Sequence, residues 1–286
     1  MKRVAVVGPG AIGSTVAAVV HRTGADLVLC GRTPLDRLVV ERGGETIVVP
    51  GPVLTEPGAV PWRADVVLLA VKAHQTEAAA PFLAALCGTG TTVVVLQNGV
   101  EHRAVVGPFA GEATVVPAIV WIATETLEPG HVRVVDDARI LLPDEPAAGA
   151  LLPLLDGAEV TADFVTEAWR KLTVNAIAGL MVLTGRRSAI FRRDDVGGVA
   201  RALALETLAV ARAEGADLPD AVADELLDWF AGLPPDAGTS ILADRLADRP
   251  LEWDARNGVI ARLGARHGVP TPVSDVIVPL LAAASG

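Results

Sequence analysis

The sequence predicts an α/β chain: an N-terminal Rossmann-type doubly wound sheet followed by an all-α C-terminal domain. Three observations lead there. Short apolar runs alternate with helical patterns over the first half. A glycine turn, Gly8-Pro9-Gly10-Ala11-Ile12-Gly13, stands between the first run and the first helix. After about Phe164 the strand signals give way to long Ala-, Leu-, Arg- and Glu-rich segments.

The elements follow in order. Arg3–Val7 reads as a buried parallel strand, Ala11–Thr23 as an apolar helix stopped by Gly24, and Asp26–Cys30 as the second strand. Further strands are expected at Glu45–Val49, Asp65–Val71, Thr91–Leu96, Thr114–Ile122 and Arg133–Leu142. With no helix evident between the last two, the sheet should end in an antiparallel or mixed part. From Trp169 onward the pattern is helical, with connections at Gly215–Pro219, Gly232–Gly238 and Asp248–Pro250. The expected domains are 1–164 and 165–286.

Composition narrows the function classes. The 286 residues are 51% apolar, which suits a chain with a substantial core. A formal net charge of −10, spread along the chain, argues against a general nucleic-acid binder. No stretch approaches the roughly 20 apolar residues of a membrane helix, and the apolar N-terminus is broken at Gly8 before a signal peptide could develop. Cys30 and Cys87 stand outside any Cys-x-x-Cys or His-rich setting, so they read as buried small side chains of a reduced, cytoplasmic protein. No metal-ligand cluster is evident, and no metal is expected. The Ala- and Leu-rich helical half is compatible with a homodimer, although core helices share that composition.

The glycine turn points to a dinucleotide. Gly8 permits the tight turn, Gly10 lets backbone approach a pyrophosphate, and Gly13 allows close helix–strand packing. Ala11 and Ile12 begin the helix whose free N–H groups and partial positive charge would receive the phosphates. An NAD enzyme usually carries an acidic residue at the end of the second strand; here the sequence is Cys30-Gly31-Arg32-Thr33. Arg32 suits a 2′-phosphate, so the expected cofactor is NADP(H). Ala70–Gln75 and Leu96–Val100 end later strands, where α/β sheets bind ligands. His74 among them reads more readily as a satisfied loop histidine than as a base.

In the second half, Lys171 and Asn175 are four apart and share a helix face. A lysine there can donate a proton to a carbonyl oxygen while the asparagine amide holds a polar substrate group. Glu252 falls at the expected start of a helix after Pro250, where a carboxylate is stabilised by the dipole.

Taken together, the chain resembles the ketopantoate reductase (2-dehydropantoate 2-reductase) family over nearly its whole length. The resemblance rests on Gly8–Gly13, Val71-Lys72-Ala73-His74-Gln75, Gln97-Asn98-Gly99, Trp169-Arg170-Lys171-Leu172 with Asn175, Thr239-Ser240 with Asp244, Glu252, and Arg266–Pro272. It implies NADPH-dependent reduction of a 2-oxo acid to a 2-hydroxy acid. By the same resemblance Lys171 is the general acid and Glu252 its partner. Asn98 lies near nicotinamide and substrate, Asn175 and Ser240 bind substrate, and Lys72 meets the cofactor. The sequence departs from the family at Gly179 and Ala237, where asparagines are common, and this opens the choice of substrate. A second reading is therefore an NADP-dependent reductase or dehydrogenase of another oxo or hydroxy acid. A third, from another class, is a silent NADP-binding sensor; Lys171, Glu252 and Asn98 at family spacing speak against it.

Overall fold

A computed structural model describes residues 1–135 and 138–285. The chain divides into two compact units, one of residues 1–97 and 101–164, the other of 98–100 and 165–286.

The first unit is built on a six-stranded parallel sheet. Its strands are β1 (Arg3–Val7), β2 (Asp26–Cys30), β5 (Val53–Leu54), β6 (Val66–Leu69), β7 (Thr92–Val95) and β8 (Thr114–Pro117). They lie in the order β5-β2-β1-β6-β7-β8. The order reverses between β1 and β6, the switch point at which ligands bind beyond the strand ends in such sheets. Alternation along each strand sends side chains to two cores. Val4, Val6, Leu68 and Val94 pack with α1 (Ala11–Arg22) on one face. Ala5, Val7, Leu69 and Val95 pack with α2 (Thr76–Leu86) and α3 (His102–Ala110) on the other. Both cysteines are buried, and burial pushes their thiols up to about 12 at Cys30 and about 11 at Cys87.

Two smaller sheets complete this unit. One has the order β10-β11-β3-β4, from β3 (Arg37–Arg42), β4 (Glu45–Pro50), β10 (Thr124–Glu128) and β11 (His131–Val134). The other has the order β13-β12-β9, from β9 (Ile119–Trp121), β12 (Arg139–Pro143) and β13 (Ala158–Thr161). The short helix α4 (Pro146–Gly149) precedes β13. The expected strand Thr114–Ile122 thus divides at Ala118: β8 pairs in parallel with β7, while β9 pairs antiparallel with β12. The expected strand Arg133–Leu142 is likewise divided between β11 and β12, and Asp136 and Asp137 lie outside the described residues.

The second unit is helical. α5 (Phe164–Thr184) is buried on every side between Leu172 and Val182, as its nearly unbroken apolar run requires. α6 (Asp194–Ala213) packs with α7 (Ala221–Gly232), α9 (Val259–His267) and α10 (Pro272–Ala284). The α10 N-terminus is satisfied from α6: Val273 and Ser274 N–H groups donate to the Glu206 carboxylate at 2.6 and 2.9 Å. The short helix α8 (Ser240–Leu246) is capped by Thr239, whose hydroxyl accepts from Leu242 N–H. Asp254–Gly258 forms a π-helical turn immediately before α9.

Candidate functional site

In the first unit, the switch point carries the glycine turn. Gly8 follows β1 at φ +90°, and its N–H donates to Cys30 O at 2.8 Å. A side chain at Gly8 would lie 2.6 Å from Val71 Cγ1, and one at Gly13 would lie 2.1 Å from the Gly8 carbonyl oxygen. These two glycines are required by close packing between β1, α1 and the loop after β6. Gly10 differs: a Cβ there would meet nothing within 4 Å. Open space over Gly10 and a helix start with no acidic residue in its first turn fit a pyrophosphate.

Arg32 stands exposed two residues beyond β2. Its neighbour Gly31 abuts the turn, since a Cβ on Gly31 would come 2.8 Å from Pro9 Cδ. The guanidinium is thus rooted beside the glycine turn. Lys72 lies in the loop after β6, and Gln97 braces that loop. Gln97 Nε2 donates to Val71 O at 3.1 Å and to Thr76 Oγ1 at 2.9 Å. His74 is exposed in the short turn Ala73–Gln75.

The second unit gathers the remaining candidates. Lys171 and Asn175 lie one turn apart on α5. Asn98, contributed by the 98–100 segment, bridges two of them in a chain of bonds with one sense. Arg256 Nη2 donates to Asn175 Oδ1 at 2.9 Å, Asn175 Nδ2 to Asn98 Oδ1 at 3.2 Å, and Asn98 Nδ2 to Glu252 Oε2 at 3.0 Å. A guanidinium, which can only donate, at one end and a carboxylate, which can only accept, at the other fix the orientation of both amides. Glu252 and Asn175 are buried, 4% and 5% exposed, so this order is set away from bulk water.

Burial pushes the Lys171 ammonium down from 10.5 to about 7, and the positive charge of Arg256 adds to the effect. The amine therefore changes charge near neutrality, where a group that both gives and takes protons is most effective. Ser240, first residue of α8, accepts from Arg256 Nη1 at 3.3 Å. Lys171, Asn175, Asn98, Glu252 and Ser240 thus all relate to one buried group, and that group was not singled out from sequence. Arg256 lies in the π-helical turn, and the expected helix start at Glu252 shows why it is hard to foresee. Glu252 precedes the helical residues, and the extra residue per turn changes which side chains face inward.

The two sequence departures have structural counterparts. Beside Gly179, a Cβ would stand 3.1 and 3.3 Å from the Asn257 amide atoms, so an amide from the π turn fills the place of an α5 side chain. Asn257 Nδ2 donates to Ala176 O at 3.1 Å, while its buried Oδ1 has no hydrogen-bond partner. Ala237 contributes backbone, its carbonyl accepting from Ser188 N–H at 3.0 Å. Among the described residues, no cluster of three His, Cys, Asp or Glu side chains could hold a metal, and no helix is long and apolar enough to cross a membrane.

Residues 4–146 match the family profile described as ketopantoate reductase PanE/ApbA, and residues 163–285 match its C-terminal counterpart. The chain belongs to the ketopantoate reductase family. It is 55% identical to a 2-dehydropantoate 2-reductase of Mycobacterium tuberculosis, over 99% of this chain and 97% of that one. A 2-dehydropantoate 2-reductase of Caulobacter vibrioides is 39% identical over the full length of both. Among solved structures, a dimeric ketopantoate reductase from Staphylococcus aureus superposes with a TM-score of 0.88 at 26% identity, covering 99% of this chain and 98% of that one. The parallel sheet and helical C-terminal half are thus the fold of the ketopantoate reductases.

Proposed function

We propose that this ketopantoate reductase family member reduces 2-dehydropantoate, or a closely related 2-oxo acid, to the 2-hydroxy acid with NADPH. The observation that carries the reading is Lys171, with its ammonium brought down to about 7, on the same helix face as Asn175 in the oriented chain that ends on Glu252. The curated relatives, named as 2-dehydropantoate 2-reductases, support it.

In this reading the glycine turn Gly8–Gly13 holds the pyrophosphate, Arg32 the 2′-phosphate, and Lys72 and Asn98 contact the cofactor. The cofactor, when bound, supplies the hydride for the substrate's carbonyl carbon. Lys171 stabilises the negative charge that grows on the carbonyl oxygen and gives it the proton. Glu252 holds Asn98 in a fixed orientation and receives the new hydroxyl. Asn175 and Ser240 bind the substrate's polar groups. We place the enzyme in the cytoplasm, as its two buried thiols suggest, and propose a homodimer by analogy with the S. aureus enzyme.

The test is oxidation of NADPH followed by absorbance, with 2-dehydropantoate and a panel of other 2-oxo acids. Turnover that is lost in Lys171→Ala while NADPH still binds is the expected result. No turnover with any 2-oxo acid, or near-normal turnover in Lys171→Ala, would remove the reading. A different preferred oxo acid would bear out the second reading, which Gly179 and Ala237 favour by standing where the family commonly has asparagines.

A further inference from the structure

Arg256 is a buried guanidinium, 3% exposed, whose hydrogen bonds run to two neutral side chains, Asn175 and Ser240. Its Nε has no hydrogen-bond partner. Two carboxylates, Glu252 and Asp244, lie close enough to favour its charge. Each is also engaged elsewhere: Glu252 accepts from Asn98 at 3.0 Å, and Asp244 accepts from Arg249 Nε at 3.0 Å. A buried guanidinium is costly unless its charge and its donors are matched.

We propose that Arg256 receives the carboxylate of the substrate, its unpartnered Nε–H and fork geometry pairing with the anion beside the Ser240 hydroxyl. This rests on the 2-oxo acid reading above and adds its carboxylate subsite. Three observations converge on it. The guanidinium already holds Asn175 and Ser240, the two side chains expected to bind substrate. Ser240, which accepts from Arg256 Nη1, is an exposed residue, so one partner of the buried guanidinium borders the surface. Gly179 and Ala237 offer no side-chain donors, and a planar cation with five N–H groups supplies them from another element. A neutral amide discriminates poorly between an acid and its ester, whereas a buried guanidinium favours the anion.

The experiment compares a 2-oxo acid with its methyl ester in wild type, Arg256→Gln and Arg256→Lys, with NADPH affinity and thermal melting as checks on folding. In Arg256→Gln, KM for the acid should rise about 100-fold, as for loss of one member of a buried charge pair. KM for the ester should move less than about threefold. The preference for acid over ester then collapses. Arg256→Lys keeps the charge without the fork and should fall between, which maintains the test if the glutamine variant does not fold. Equal losses for acid and ester, or an unchanged KM for the acid, would overturn the assignment and leave Arg256 as a structural group. Should wild type reduce no 2-oxo acid, the proposed function fails, and direct titration separates the two ideas. Acid that binds wild type but not Arg256→Gln upholds the subsite; acid that binds both alike, or neither, overturns it.

Discussion

Raising the pH should silence this enzyme earlier than an ordinary lysine would allow. A fall of the Lys171 ammonium from 10.5 to about 7 corresponds to on the order of 5 kcal/mol, taking about 1.4 kcal/mol per decade and treating it as an upper bound. If Lys171 is the acid, reduction needs its protonated form. At about pH 9, two decades above its midpoint, roughly 1% of the amine carries a proton, so kcat/KM for reduction should be about 100-fold below its acid plateau. A lysine at 10.5 would show almost no loss there. Initial rates of NADPH oxidation from about pH 5.5 to 9.5, at constant ionic strength, measure this directly. A flat profile up to about pH 9 would refute the assignment of Lys171 as a desolvated acid. The same shift carries a stability signature. Between about 7 and 10.5 the unfolded lysine holds a proton that the folded one has released, so stability rises with pH across that window. Lys171→Met should flatten the rise, as read by denaturant unfolding at several pH values.

Three further perturbations address separate parts of the molecule. Gly13→Ala places a methyl group 2.1 Å from the Gly8 carbonyl oxygen; melting should fall by several degrees, for a cost of about 1–3 kcal/mol, and NADPH affinity by more than about tenfold. A wild-type dissociation constant by fluorescence titration would show that the turn yields. Arg32→Ala should weaken NADPH while leaving NADH nearly unchanged, and an unaltered ratio of the two affinities would remove Arg32 from the 2′-phosphate. Asn98→Asp turns a donor 3.0 Å from Glu252 into a second carboxylate, so turnover at neutral pH should drop about 100-fold and recover in part, relative to wild type, at acid pH, where the like charges are relieved. Loss without pH-dependent recovery would mean that the amide matters for shape alone.

Much of the first unit was legible because its signals are local. β1, the glycine turn, α1 and β2 occupy consecutive residues, and each carries its own periodicity or packing requirement. The division at Ala118 was not legible: Thr114–Ile122 is one apolar run, and only its two different partners, β7 and β12, make it two strands. β3, β10 and β13 escaped for a similar reason, since short half-exposed strands depend on neighbours distant in sequence. In the site, Lys171 and Asn175 could be paired from their helical spacing. The link from Asn175 through Asn98 to Glu252 spans residues far apart in the chain. Arg256 was hidden most completely, because a π turn follows neither the 3.6-residue nor the two-residue period by which faces are read.

Asn98–Val100 is three residues long, yet it belongs with the helical unit while the chain on both sides of it belongs to the sheet unit. The helical unit is therefore not a contiguous piece of the gene product. A fragment starting at residue 165 would keep all but the first residue of α5, the helices to α10 and Arg256, but would lack the amide that accepts from Asn175 and donates to Glu252. Recombination between relatives at the natural-looking seam near residue 164 would carry the same hazard, joining a helical half to an Asn98 segment selected against different neighbours. For directed evolution of new substrates, the unit of exchange is the helical half together with that tripeptide.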